Sequence, residues 1–500
     1  MRRTSYTAPR SLGCLAFVWL IAAPLSAQQG DAAAERVFIG AERLEREGKV
    51  SDARNEYDLL VSTFPRTIYA QDALLALARS YRTTNEMERA YVALDKLSSD
   101  YPDSPKAAEA LVLRGQFQVE EAANRKELDE TRTPFRRVPA LFGRNEYPAL
   151  LARVEAKVRH GDVHILLGEP VQAALDFLGA IEEESRSPWM GQAYYGLGRS
   201  LMDSQEWVGA ADALQSVLAQ EDASEDLKAQ ARIDLAFLHR HWLRPSLGQA
   251  RWLSSRPLPI SGATLKRPLR VAAARDGSVV ILDAAQDQAI HVAADGNVLK
   301  RASLAQIRDV WWSADGRPFA TVNDALVAID TNERESFTPA GIPIKNLGSG
   351  QRGIFRQWFA LDRDKKTLWT FDRRGQAKVL STEAQDFSDL EHAPRGELLI
   401  LDRKDRSVTR LDMNGDRVGR FSGDWKRPES ITADTYGNVY VLDVGEKKIG
   451  IHAPDGSRLG EVGPGLPGGG ELRSPEDIAI DGLGRLLIAD RGQSQVFILE

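Results

Sequence analysis

The sequence predicts a multidomain α plus all-β chain, with an N-terminal α-solenoid over residues 28–242 and a six-bladed β-propeller over residues 249–500. Three observations carry this reading. Turn glycines and aspartates recur at fixed intervals through the second half. Alanine-rich amphipathic segments recur every 37 residues in the first half, and a basic, then apolar leader precedes both.

In the second half, Gly437 stands six residues before Asp443, and Asp443 thirteen before Gly456. Gly277, Asp283 and Gly296 keep both intervals, as do Gly396, Asp402 and Gly415; Gly484 and Asp490 keep the first, and Asp362 and Gly375 the second. Short runs of alternating apolar and polar residues lie between the marks, which is strand periodicity punctuated by tight turns. Aspartate suits such a mark because its carboxylate accepts backbone N–H bonds and so holds a turn. A fixed period of about 40 residues, with four strands in each, fits a propeller blade and not a sandwich. Six blades follow; the second (near Gly316, with Asn323 near the aspartate place) and the third are degenerate. The last blade stops at Glu500 before its fourth strand, and residues 248–253 (GQARWL) are expected to supply that strand and close the ring. The stretch 463–490, GPGLPGGGELRSPEDIAIDGLGRLLIAD, resembles the NHL-repeat propellers in its Gly-rich loop, proline, apolar strand and final aspartate.

The chain's 500 residues allow more than one full core. A formal charge of −6 leaves no basic footprint, which argues against a general nucleic-acid binder. Arg2, Arg3 and Arg10 precede an apolar run over 12–23 and small residues before Gln28, the pattern of a signal peptide over 1–27. The run is too short for a comfortable membrane span. An exported chain with no stable membrane span after cleavage is therefore expected, in the periplasm or outside the cell. The single cysteine, Cys14, falls in the leader, so the mature chain would hold no disulfide and no Cys-ligated metal.

The first half has its own repeat. Ala53 and Ala90 are 37 residues apart, as are Pro65 and Pro102, and as are Ala173 and Ala210. Gly48 and Asn85 fall at turns between paired helices, while Gly161 and Gly198 allow paired helices to approach closely. Leu77, Ala78, Tyr81, Ala90, Leu94, Leu97 and Pro102 resemble the signature of tetratricopeptide repeats. The run FPRTIYAQDALLALARSY (64–81) is similar to the helical lipoproteins of the outer-membrane assembly machinery. The resemblance implies a solenoid whose inner groove is lined by the first helix of each pair, here Arg79, Arg82, Gln116, Tyr195 and Arg199. Arginine and tyrosine together suit an acidic or aromatic-bearing peptide segment. Residues 120–149 interrupt the third repeat with prolines and with Arg132, Arg136 and Arg137, and are expected as a solvated loop. Residues 243–248 read as a short linker.

Chemistry is sparse. Seven residues before the first turn glycine of five blades come Arg270, Asp309, Asp389, Ser430 and Asp477, with Glu429 and Glu476 adjacent. These begin the inner strands and should crowd one rim of the channel, where carboxylates could hold a hard cation such as Ca²⁺. A structural or electrostatic use of that rim is the expected one. His291 and His452 are expected outside the channel, His392 facing it, and Trp311 and Trp312 in the core. Lactonases of the gluconolactonase and regucalcin type hold a channel metal with acidic and amide residues, and this chain lacks their Asn ligand and paired Asp. It also has no Gly-x-Ser-x-Gly, phosphate loop, His-Glu-x-x-His or Cys–His pair. The expectation is an exported, non-catalytic protein–protein interaction scaffold without cofactor, acting in envelope assembly or cell-wall coordination, with envelope proteins or peptide segments as partners. The alternative is a metal-dependent propeller lactonase or lyase with the solenoid as docking module; polysaccharide binding by the propeller is a third.

Overall fold

The helical half owes its order to alanine at the helix crossings and to turns that only a few residues tolerate. The computed structural model describes residues 19–143, 147–242 and 252–500, the last except 305, 314–315, 323–324, 332–333, 337–346, 353–357, 363–366, 372–376, 381–385, 394–395 and 413. Most of the leader, the linker at 243–248, Asn323 and Gly375 therefore lie outside the described residues. Among the described residues twelve helices come first: α1 (Trp19–Arg46), α2 (Val50–Thr63), α3 (Ile68–Thr83), α4 (Met87–Asp100), α5 (Pro105–Glu121), α6 (Arg125–Glu130), α7 (Arg132–Leu141), α8 (Tyr147–Leu166), α9 (Pro170–Glu183), α10 (Met190–Asp203), α11 (Trp207–Ala219) and α12 (Glu225–His241). Among the described residues none is long and apolar enough to cross a membrane. Two compact units can be distinguished: one runs to residue 118 and takes in 133–156, and the other comprises 119–132 and residues from 157 onward.

In the first unit, Ala53, Ala70, Ala78 and Ala90 are buried against Tyr57, Leu74, Leu77 and Leu94 in one core. The turns carry left-handed residues where expected, Gly48 at φ 77° and Asn85 at φ 61°. The segment 120–149 is not a solvated loop. It contains α6, α7 and the start of α8, and buries Leu128, Phe135 and Val138. Its prolines do not break the helices because Pro134 and Pro148 sit in first turns, where the missing N–H has no intrahelical partner to lose. Past Pro139, which lies inside α7, Arg153 donates from Nη1 to the carbonyls of Pro139 (2.8 Å) and Phe142 (2.6 Å) and so caps the end of that helix. Phe135 fills the space that Gly115 leaves, with its ring 2.5 Å from where a Cβ would stand.

In the second unit, Phe177 of α9 does the same at Gly161 and Gly196, and Leu214 does so at Gly198. Among the described residues six four-stranded antiparallel sheets follow, within 268–303, 307–336, 347–380, 387–422, 428–462, and 475–499 with one strand from upstream. That strand is Ser255–Pro257, paired antiparallel to Gln495–Leu499. Closure is thus as expected, with the ladder displaced C-terminally from 248–253, of which 248–251 lie outside the described residues. Leu253 and Ser254 extend the closure by donating their N–H groups to the Glu500 carbonyl at 3.0 and 3.1 Å.

The aspartate marks hold each blade together. Asp443 accepts the N–H groups of Lys426 (2.7 Å), Arg427 (2.8 Å) and Gly445 (2.9 Å), clamping the entry to the blade's first strand onto the end of its second. Asp490 accepts from Arg473 and Ser474, and Asp283 from Lys266 and Arg267, at the equivalent places. Gly277, Gly437 and Gly484 take φ of 89°, 80° and 72° in the turns that follow the first strands, where a side chain would be strained.

Candidate functional site

The inner strands of five blades, Pro268–Ala273, Ile307–Trp312, Phe387–His392, Pro428–Ala433 and Pro475–Ile480, share a register shift just after their first residues. A bulge there re-aims the next side chain. Arg270, Asp309, Asp389, Ser430 and Asp477 thereby converge, as the spacing predicts. Their oxygens are largely used by the fold. Asp477 of the sixth blade accepts the Val271 N–H of the first at 2.7 Å and the Ser430 hydroxyl of the fifth at 2.6 Å. Asp389 of the fourth blade accepts the Ile431 N–H of the fifth at 2.8 Å. Ser430 Oγ in turn accepts the Ile478 N–H at 3.2 Å. Arg270 Nε lies 3.8 Å from Asp309 Oδ1. The result is a belt that stitches blade to blade.

Glu429 and Glu476 do not join it. They pair with Arg403 (3.3 Å) and Arg491 (2.9 Å) respectively and are absent from the cavity wall, because side chains on either side of the bulge face different ways.

Above the belt is a cavity of about 400 Å³, lined by the inner strands and by Arg199 of α10. Glu391 and His392 also line it. Burial, reinforced by Asp477 and Asp309, pushes the Asp389 carboxyl upward. Burial also raises Asp477, against the pull of Arg270 and the Ser430 hydroxyl. Glu391 is raised by burial and by Asp389, with the Thr432 hydroxyl (3.3 Å) opposing. Burial lowers His392 to about 4, and its Nε2 has no hydrogen-bond partner. His291 and His452 stay out of the cavity, packed on Trp312 and on Phe421 and Trp425. Trp311 is buried and stacked on Phe319 at 4.9 Å, Trp312 is only partly buried, and both reach the cavity wall, a departure from the expected core position for Trp312.

A pH effect follows. Folded Glu391 keeps a proton that the unfolded chain releases in the ordinary glutamate range, so stability falls as pH rises from there through the raised folded value. Glu391→Gln removes that loss. The variant is expected to match wild type near pH 4 and to melt at a higher temperature than wild type at pH 8, in thermal melts at the two pH values.

Helices α10–α12 close over the turns that follow the inner strands. Arg275 Nη2 donates to Asp234 (2.7 Å to each oxygen) and to the Tyr195 hydroxyl (2.6 Å). Arg240 Nε donates to the Leu483 carbonyl, and His241 and Trp252 contact the Gly484 carbonyl at 3.1 and 2.8 Å. Trp207 stacks on Trp242 at 4.4 Å, and Tyr436 of the propeller stands against Trp207 and Phe237. Burial opposes the charge of Arg199, but Tyr195 and Asp234 outweigh it and keep the group protonated. Tyr195 and Arg199 therefore serve this helix–propeller junction and not a peptide groove.

The other expected groove residues lie in the first unit. Arg79 lines a separate cavity of about 380 Å³ with Phe38, Glu42, Glu45, Tyr57, Asp72, Leu75, Lys106 and Glu109. Arg82 lies over the Phe117 ring at 5.5 Å, and Gln116 donates to Glu155 at 2.8 Å. The sequence reading missed Glu391, Arg275 and Asp234. Glu391 was within reach, since period-two alternation puts it on the face of Asp389; the others carry no local signal.

Residues 31–150 match the family described as YfiO, outer membrane lipoprotein. No curated protein matches the chain significantly. Solved structures similar to it include a virginiamycin B lyase from Staphylococcus aureus, at 15% identity over 47% of this chain and 82% of that one with a TM-score of 0.37. A gluconolactonase from Xanthomonas campestris aligns at 13% identity over 50% and 90%, TM-score 0.39. A calcium-binding regucalcin from Agrobacterium tumefaciens aligns at 14% over 49% and 93%, TM-score 0.39.

Proposed function

We propose that the chain is an exported, non-catalytic interaction scaffold of the bacterial envelope, acting in envelope assembly or cell-wall coordination. One observation supports this above the others: the channel carboxylates accept the N–H and O–H groups of neighbouring blades, so that they serve as fasteners of the ring. The YfiO-type domain supplies the partner surface, at the cavity around Arg79. Its apolar wall of Phe38, Tyr57 and Leu75 can seat one side chain. Four carboxylates there face two cations, and Lys106 already pairs with Asp72 (2.9 Å) and Glu109 (3.2 Å). That balance favours an envelope peptide segment with an apolar anchor and a basic residue, in place of the acidic segment expected from the arginines alone.

A second reading, a metal-dependent lactonase or lyase, draws on the raised Asp389 and Glu391 beside the unpartnered His392 nitrogen. Elemental analysis of gently purified chain separates the two. The scaffold reading expects no stoichiometric Ca²⁺ and no rise in melting temperature on adding it. One equivalent of Ca²⁺, lost in Asp309→Asn/Asp477→Asn, would favour the enzyme.

A further inference from the structure

We propose that His160, His164 and Asp176 form a site for a divalent transition metal, Zn²⁺ by ligand chemistry, clamping α8 to α9. His160 and His164 are one turn apart and so project from the same face of α8. Gly168, at φ 73°, ends that helix with its N–H donated to the Ile165 carbonyl (3.0 Å) and the Glu169 N–H donated to His164 (2.8 Å). The chain then reverses and brings Asp176 of α9 opposite the two rings. One ligand atom from each residue falls within 4.8 Å of the other two.

The hydrogen bonds around the rings orient the donor atoms. His164 Nδ1 lies 2.6 Å from Glu169 Oε2, and that carboxylate is itself held by Arg132 Nη1 at 3.1 Å. The proton on Nδ1 leaves Nε2 with a lone pair, and Nε2 faces Asp176 Oδ2 at 3.6 Å, beyond hydrogen-bond distance. Two electron-rich atoms confronting each other in a largely buried position call for a cation between them. A carboxylate behind the far nitrogen of a ligating histidine is also what fixes the tautomer and raises its basicity at metal centres. His160 completes the set: its Nδ1 is 2.8 Å from Asp176 Oδ2, so it is the ring atom turned toward the same position.

The geometry needs little change. Bonds of about 2.0–2.1 Å in a tetrahedron put donor atoms roughly 3.3 Å apart. The His164–Asp176 separation is near that already, and the His160–Asp176 contact has to open by ~0.5 Å. Two imidazoles and one carboxylate leave the fourth position to water. Imidazole donors select Zn²⁺ and its neighbours over Ca²⁺ and Mg²⁺, which prefer oxygen.

The test uses the full mature chain, stripped with chelator and titrated with ZnCl₂ by calorimetry, with CoCl₂ as an optical probe. One saturable equivalent of Zn²⁺ is expected, with visible absorption from four-coordinate Co²⁺ that Zn²⁺ displaces. Asp176→Asn and His160→Ala should each weaken binding at least 100-fold, and Glu169→Gln, which leaves all three ligands in place, by ~10–100-fold. Circular dichroism checks that each variant folds; should His160→Ala fail, the two carboxylate variants decide. No saturable Zn²⁺ binding would overturn the proposal. So would binding that survives in Asp176→Asn.

Discussion

Asp283→Ala is expected to destabilise the propeller by ~3 kcal/mol, lowering its melting temperature by ~5–15 °C. The carboxylate is 0% exposed and accepts four bonds: Lys266 N–H (2.7 Å), Arg267 N–H (3.0 Å), Ala285 N–H (3.1 Å) and Gln286 Nε2 (2.7 Å). Bonds to an ionised acceptor contribute about 1.5–3 kcal/mol each, and removing the acceptor leaves the donors to find water at a half-buried corner. Several of them can do so in part, which keeps the loss below a simple sum. Asp283→Asn should lose almost as much, because one oxygen becomes an NH₂ aimed at donors. Asp295→Ala, whose carboxylate accepts the Asn297 N–H on an exposed turn, is the control and should cost about 1 kcal/mol or less. Thermal or urea melts followed by far-ultraviolet dichroism measure all three. Equal melting of Asp283→Ala and Asp295→Ala would remove the case for the aspartate as a clamp.

Arg275→Leu is expected to cost ~2–4 kcal/mol and to loosen α10–α12 from the propeller turns. Asp234 is 2% exposed, and the substitution takes away its closest cation. A buried pair broken on one side costs far more than the pair contributes when intact, since the remaining charge stays desolvated. Arg199, which also feels Asp234, limits the damage. The double variant Arg275→Leu/Asp234→Leu should recover much of the loss, the signature of a pair whose worth lies in matched burial. Trp207 and Trp242, stacked at the same junction, provide the readout: their fluorescence should shift to the red in the single variant at denaturant concentrations where wild type is unchanged.

Both effects bear on what could be read in advance. The glycine and aspartate intervals were legible because they answer local backbone demands, a positive φ or a cluster of N–H groups within one blade. The convergence of Arg270, Asp309, Asp389, Ser430 and Asp477 was legible by counting, but its use was not. Asp477 spends its oxygens on Val271 and Ser430, which are remote in sequence and meet it only when the ring closes. The closing strand was misplaced because GQARWL imitates an outer strand, whereas Ser255–Pro257 earns its place by backbone pairing alone. Prolines disguised α7 and α8 as loop, since a first-turn proline and a helix breaker look alike until a partner such as Arg153 is seen. The aromatic junction had one visible trace, Tyr436 in a turn beside Gly437, where a large ring has no local reason to be.

The scaffold reading is tested most directly by placing a photo-reactive amino acid at position 79, in the lining of the first unit's cavity, and irradiating intact cells. One or a few discrete adducts with envelope proteins are expected, reduced when Leu75→Asp spoils the apolar wall and unchanged by Asp309→Asn/Asp477→Asn. No adduct at position 79, together with stoichiometric Ca²⁺ in the channel and turnover of a lactone that both vanish in Asp309→Asn/Asp477→Asn, would contradict it and make the propeller an enzyme.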